Sequence, residues 1–130
     1  KQRYNALMAI VNKVDIKVKM SKDEVIKYQI LTHCFLNEIQ ISNSDLHCLH
    51  ILCKKGKVEL TKFCGVISES GIFKSPQSCR NALSKAEKKG LIIKDGTNKK
   101  VISINPKMEI GIEGIIYLDY KILGIESKEL

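Results

Sequence analysis

The chain has 130 residues, 44% of them hydrophobic and 28% charged, a composition typical of one soluble domain with its own core. No apolar run reaches the roughly 18 residues that cross a bilayer, and no secretory leader is recognisable. We therefore expect a cytoplasmic protein. Because the chain begins with Lys1 instead of Met, we also expect residues to precede it in the natural protein.

The net charge of +8 is concentrated in one segment. Between Lys74 and Lys100 the chain has eight basic residues and two acidic ones, which is +6 of the total. Residues 21–53 and 107–130 each carry a net charge of −2. Such a local excess favours a polyanion partner. The alternative is a lysine-rich surface encoded by an A/T-rich genome.

Five cysteines, an odd number without a C-x-x-C pair, fall at positions that look apolar and helical. They are Cys34, Cys48, Cys53, Cys64 and Cys79. Free buried thiols in a reducing compartment fit this pattern better than disulfides do. His33, His47 and His50 lie close by in the sequence, but zinc-finger spacings are absent. The sequence predicts no metal and no other cofactor.

Residues 1–43 are predicted to form an N-terminal extension. Helical spacing over residues 4–11 predicts a short helix, and alternation over residues 14–20 predicts a strand. Ser21 followed by Glu24 is a capping box that opens a long helix. The apolar positions of this helix are Ile26, Ile30, Leu31, Cys34, Phe35 and Ile39.

Residues 44–106 begin with a helix and a short extended segment. Ser44 is the predicted cap of a helix over residues 45–55, which Gly56 ends. Residues 57–60 are the extended segment. Thr61 is then the predicted cap of a second helix that ends at Gly71. Its predicted inward residues are Phe63, Val66 and Ile67.

A third helix and a hairpin complete this part of the chain. Ser75 is the predicted cap, Pro76 occupies the first helical position, and Gly90 ends the helix. The predicted buried positions are Cys79, Ala82, Leu83 and Ala86. Residues 91–95 and 100–104 are two apolar-rich strands on either side of a turn, which predicts a hairpin.

This order of elements is the layout of a winged helix-turn-helix. The sequence therefore predicts an α+β fold of that kind, with extra N-terminal helices and additional N- and C-terminal strands. We expect one core, formed by Leu46, Leu49, Leu52, Phe63, Ile67, Leu83, Leu91 and Ile102. In residues 107–130, a C-terminal extension, alternation over residues 114–123 predicts a strand, and the end is a polar tail. This strand should pair with residues 14–20, within one protomer or across a dimer, because either strand alone leaves an apolar edge open.

The third helix has an outward face without acids or large apolar groups. Its Gln77 and Asn81 can pair with the N6 and N7 edge of adenine, and Arg80 with guanine. The lysines of the helix and the hairpin suit phosphates, as do the free N–H groups at the helix N-terminus. The alternative is that this helix face and the basic hairpin turn are ordinary hydrated surface without a ligand. The predicted DNA-binding residues are Lys74, Ser75, Gln77, Ser78, Arg80, Asn81, Ser84, Lys85, Lys88, Lys94, Asn98, Lys99 and Lys100.

The residues from Ser75 to Ile92 resemble the recognition helix and first wing strand of MarR-like winged-helix proteins. The following Ile104-Asn105-Pro106, with Gly111 soon after, is similar to the end of the domain in RepL-type replication proteins of plasmids and phages. The resemblance covers about residues 44–114. It implies binding of double-stranded DNA in replication initiation or transcriptional regulation, usually as a homodimer.

An enzyme is not expected, because the sequence has no Gly-rich phosphate loop and no spacing typical of a nucleophile with its base. The alternative function is a winged helix reused as a structural or protein-interaction module, for example in a phage virion or a replisome. Only Arg3 and Arg80 are arginines, which slightly favours this alternative because arginine dominates base recognition.

Overall fold

A computed structural model describes residues 20–112, and within them the chain is of the α+β class. The elements are α1 (Lys22–Leu36), α2 (Asn43–Lys55), β1 (Val58–Glu59), α3 (Leu60–Glu69), α4 (Pro76–Lys88), β2 (Ile92–Lys94), β3 (Val101–Ile104) and a 3₁₀ turn (Pro106–Met108). No helix in this part is long and apolar enough to cross a membrane. The helix predicted within residues 4–11 and the strand predicted over residues 114–123 lie outside the described residues, as does all of the first predicted strand except Met20.

Two of the predicted helix starts are confirmed. Ser21 Oγ accepts a hydrogen bond from the backbone N–H of Glu24 at 3.1 Å, and the Glu24 carboxylate accepts from Ser21 N–H at 2.9 Å. At α4, Ser75 is the N-cap and Pro76 follows at the first turn, where a missing N–H costs nothing. The predicted end is also confirmed, since Gly90 has φ = +79°, a conformation that favours glycine.

The start predicted for α2 is wrong. The N-cap is Ser42, not Ser44. Ser42 Oγ accepts from Asp45 N–H at 3.0 Å, and the Asp45 carboxylate accepts from Ser42 N–H at 3.1 Å. This reciprocal pair satisfies two backbone donors at once, whereas a serine cap at position 44 has no acid three residues later.

The start of α3 and one of its predicted inward residues are also wrong. The N-cap is Glu59, not Thr61, because the Glu59 carboxylate accepts from Lys62 N–H at 2.9 Å. Glu59 is the last residue of β1, so the strand leads directly into the helix. Val66 is 50% exposed, and Cys64 is buried in its place because it lies on the same side of the helix as the buried Phe63 and Ile67.

The sheet has β3 at its centre, antiparallel to both neighbours. The predicted hairpin is confirmed, with Ile92 opposite Ile104 in β2 and β3. On the other side Val58 of β1 pairs with Ile102, which joins the short strand before α3 to the hairpin after α4. The sheet therefore connects α3, which follows the edge strand β1, with α4, which precedes the other edge strand β2.

All eight predicted core residues are buried in one cluster. Helix α1 contributes to the same cluster through Ile26, Ile30 and Cys34. Ala82, which was also predicted to be buried, is half-buried. The long helix of the predicted N-terminal extension thus packs on the same core as the helices that follow it.

Helix α1 is apolar on a second side as well. Tyr28, Leu31 and Phe35 are spaced at three and four residues, so they lie along one face. They are 38%, 46% and 81% exposed. The apolar positions predicted for this helix therefore belong to two faces, and only one of them contributes to the core. Ile39, which was also predicted to lie in the helix, is beyond its end at Leu36.

All five cysteines are free thiols, and four are buried while Cys53 is half-buried. The thiols of Cys48 and Cys64 both lie near that of Cys79, where α2, α3 and α4 meet. Burial raises the pKa of Cys64 to about 12, and the neighbouring Cys48 thiol, together with burial, raises the pKa of Cys79. These neutral thiols pack as small apolar groups. Among residues 20–112 no group of three or more His, Cys, Asp or Glu is arranged to hold a metal ion.

A charged cluster links the start of α1 to α2. The Lys54 ammonium lies 2.8 Å from Asp23 Oδ1, and Nε2 of the buried His50 lies 3.2 Å from the same oxygen, poorly aligned for a hydrogen bond. The hydrogen bond from Lys54 is the largest cause that holds the pKa of Asp23 below its ordinary 3.8. A depressed pKa means that the ionised carboxylate stabilises the fold.

We expect Asp23→Asn to lower the melting temperature at neutral pH. The difference from the wild type should shrink as the pH falls below about 3.8, because the wild-type carboxylate then takes up a proton and loses the same contacts. Thermal denaturation across a pH series measures this, with Glu38→Gln as an exposed control. If the two melting temperatures differ as much at pH 2.5 as at neutral pH, the ionised Asp23 carboxylate is not what stabilises the fold.

Candidate nucleic-acid interface

Helix α4 separates its residues cleanly into two faces. Cys79, Leu83 and Ala86 are buried. The opposite face is exposed and consists of Gln77, Asn81, Ser84, Lys85 and Lys88. This face has hydrogen-bonding groups and positive charge but no acid, as the sequence predicts.

A groove of about 250 Å³ lies between this face and the hairpin. Apolar side chains line part of it, from Leu60, Leu83, Ile92 and Ile102. The polar lining comes from Gln77, Arg80, Asn81, Ser84 and Lys94. The fold thus brings predicted site residues of α4 and of β2 onto one surface. The sequence did not indicate Leu60 as a residue of this surface. Leu60 reaches the groove because β1, which precedes it, pairs with β3.

Two amide side chains on α4 are bonded to each other. Gln77 Nε2 donates to Asn81 Oδ1 at 3.0 Å. Residues four apart lie one above the other on a helix, so this contact follows from the helix itself. The bond fixes both amides relative to the exposed edge of the groove.

Arg80 is turned away from the centre of the exposed face. Its guanidinium donates to Thr61 Oγ1 in the first turn of α3, and the side chain is half-buried. Sequence reasoning assigned Arg80 to guanine recognition and missed Thr61. The structure gives Arg80 a contact that ties α4 to α3.

The predicted residues at the start of α4 take part in its cap. Ser75 Oγ accepts from Ser78 N–H at 3.1 Å, and the two hydroxyls lie 3.1 Å apart. The Ser78 N–H that was predicted to bind phosphate therefore already has a partner. Lys74, immediately before the cap, is exposed.

The hairpin loop is organised by Asp95. Its Oδ1 accepts from the N–H and hydroxyl of Thr97 and from the N–H of Asn98. The backbone bond from Thr97 is the largest cause of a lowered pKa for Asp95. Asn98 Oδ1 in turn accepts from Lys100 N–H at 3.0 Å. Asn98 thus shapes the turn, and the side chains of Lys99 and Lys100 are exposed beside it.

The two acids within the basic segment each lie near a lysine. Glu87 is 3.5 Å from the Lys94 ammonium, and Asp95 is 3.8 Å from that of Lys57. Lys94, a predicted site residue, is therefore partly neutralised. The exposed excess of positive charge lies on the remaining lysines of α4 and of the loop, namely Lys85, Lys88, Lys99 and Lys100.

Comparison of the chain with protein-family models, with characterised proteins and with solved structures finds no match. The helices and strands themselves define the α+β class. The function therefore has to follow from the chemistry of the groove and its surroundings.

Proposed function

We propose that this protein is a winged helix-turn-helix that binds double-stranded DNA, with α4 in the major groove and the β2–β3 hairpin as the wing. The observation that carries the proposal is that the acid-free polar face of α4 and the basic hairpin border one groove. The order of helices and strands agrees with this layout. The major groove of B-DNA, about 12 Å wide, admits an α-helix.

In this assignment the residues have two different tasks. Gln77 and Asn81 contact base edges, where amides suit adenine. Lys88, Lys99 and Lys100 contact phosphates, which gives affinity without sequence preference. Arg80 acts as a positioning residue through its bond to Thr61. We propose replication initiation or transcriptional regulation in the cytoplasm as the cellular role, on the strength of the sequence resemblance.

We also propose that DNA binding involves a homodimer. Two copies would place their α4 helices in successive major grooves, about 34 Å apart along the duplex. The exposed apolar face of α1 supports a protein contact at that helix. Residues 21–53 have a net charge of −2, so two copies that meet there avoid bringing their basic segments together. A stoichiometry of two chains per duplex in the titration below is the expected result, and one chain per duplex would contradict the dimer.

The test is a titration of labelled duplex DNA with the purified protein at 50 and 200 mM salt, followed by fluorescence anisotropy. With the three lysine–phosphate contacts of Lys88, Lys99 and Lys100, we expect roughly fortyfold weaker binding at the higher salt. Polyglutamate of matched charge is the control, because a merely basic surface binds any polyanion. No measurable affinity for duplex DNA, or equal affinity for polyglutamate, would contradict the proposal.

The alternative is a structural or protein-interaction module on the same fold. The engagement of Arg80 by Thr61 favours it, because Arg80 is the one arginine in the sequence of residues 20–112. This alternative predicts no salt-dependent affinity for duplex DNA. The same titration therefore decides between the two functions.

A further inference from the structure

The hydrogen bond between Gln77 and Asn81 determines which polar atoms the exposed face of α4 offers. The bond, 3.0 Å between Gln77 Nε2 and Asn81 Oδ1, uses one of the two Gln77 N–H donors and one of the two Asn81 lone pairs. Gln77 keeps its carbonyl oxygen as an acceptor and its second N–H, and Asn81 keeps both amino donors and the second lone pair of Oδ1. The two amides thus form one donor–acceptor unit at the edge of the groove.

The major-groove edge of adenine has the complementary pattern. Its N7 is an acceptor and its N6 amino group is a donor, whereas guanine has acceptors at both N7 and O6. A guanine would bring its O6 against the carbonyl oxygen of Gln77, and two acceptors repel each other. With Asn81 at N7 and the Gln77 carbonyl oxygen at the neighbouring position, the unit fits adenine, whereas guanine needs the second Gln77 N–H to replace that oxygen.

We propose that Gln77 and Asn81 recognise a single adenine together, with Asn81 Nδ2 donating to N7 and Gln77 Oε1 accepting from N6. This inference rests on the proposed DNA-binding function. It differs from recognition of two bases by two independent side chains, in which each residue specifies its own base pair. Removing either amide here destroys the shared unit, since the remaining one loses its orienting bond.

The neighbouring side chains agree with this assignment. Arg80, the nearest guanine-reading residue type, donates to Thr61 instead. Lys94 on the opposite side of the groove has Glu87 3.5 Å away. The amide pair and the neighbouring Ser84 hydroxyl are therefore the parts of the groove with unengaged groups suited to a base edge.

The experiment selects duplexes from a pool with 20 randomised base pairs, using the wild type, Gln77→Ala, Asn81→Ala and the double variant. We expect the wild type to enrich one A·T pair that both single variants no longer select. On the enriched duplex each single change should weaken binding roughly ten- to hundredfold. The double variant should be within about threefold of either single variant, whereas independent contacts would multiply their losses.

Two further measurements keep the outcome unambiguous. Replacing the selected adenine by 7-deazaadenine, which lacks N7, should weaken the wild type and leave Asn81→Ala unchanged. Gln40→Ala is the control, because it removes an exposed amide that does not line the groove and leaves in place the backbone carbonyl that Lys89 binds. Loss of preference at two different base pairs, or multiplied losses, would overturn joint recognition while leaving DNA binding intact. Failure of the wild type to bind any duplex would instead remove the proposed function itself.

Discussion

Leu83→Ala is expected to lower the free energy of unfolding by roughly 2–5 kcal/mol. Leu83 is only 3% exposed and lies on the inner face of α4 between Cys79 and Ala86. Shortening the side chain removes buried apolar surface and leaves a cavity, because the surrounding helices can only partly close the space. Urea denaturation followed by circular dichroism measures the change.

The matched control for Leu83 is its neighbour. Ser84→Ala removes an exposed hydroxyl one position along the same helix, and we expect it to change stability by less than about 0.5 kcal/mol. A loss below about 1 kcal/mol for Leu83→Ala would mean that α4 does not pack on the core through this face. The exposed face of α4 would then be assigned wrongly as well, because the two faces are opposite sides of one helix.

The second large effect concerns phosphate binding. Replacing Lys88, Lys99 and Lys100 together by Ala should weaken binding roughly 500-fold at 0.1 M salt and flatten the salt slope by about three units, since each contact contributes about 0.9. The loss should be equal on the selected duplex and on random duplexes, because phosphates carry no sequence information. Anisotropy titrations over a salt series measure both quantities.

A control with the same change in net charge separates local contact from overall charge. Lys22, Lys27 and Lys107 are outside the segment from Lys74 to Lys100, and changing them to Ala removes the same three charges. We expect this variant to retain a salt slope near that of the wild type. If the triple variant of α4 and the loop binds all duplexes as the wild type does, the phosphate assignment is wrong and the protein-interaction alternative gains support.

Much of the proposed site could be predicted from the sequence because it lies on one helix and one hairpin. The Ser75 cap, Pro76 and Gly90 set the limits of α4, and helical periodicity then separates its buried and exposed faces. The contact of Gln77 with Asn81 is also local, since residues four apart on a helix meet. The local excess of positive charge can be read directly from the order of residues between Lys74 and Lys100.

The tertiary structure decided what depends on residues far apart in the chain. The sequence indicated Arg80 as a base-reading residue. In the fold α3 places Thr61 beside the Arg80 guanidinium, and no spacing in the sequence indicates that contact. The groove exists because β1 and the hairpin share one sheet. Likewise, periodicity marks Phe35 and Ile30 equally as apolar, but only packing against α2 and its neighbours decides that Ile30 is buried and Phe35 is 81% exposed. Sequence determines local conformation and amphipathicity through short-range sterics and hydrogen bonding, whereas burial depends on which elements the whole chain brings together.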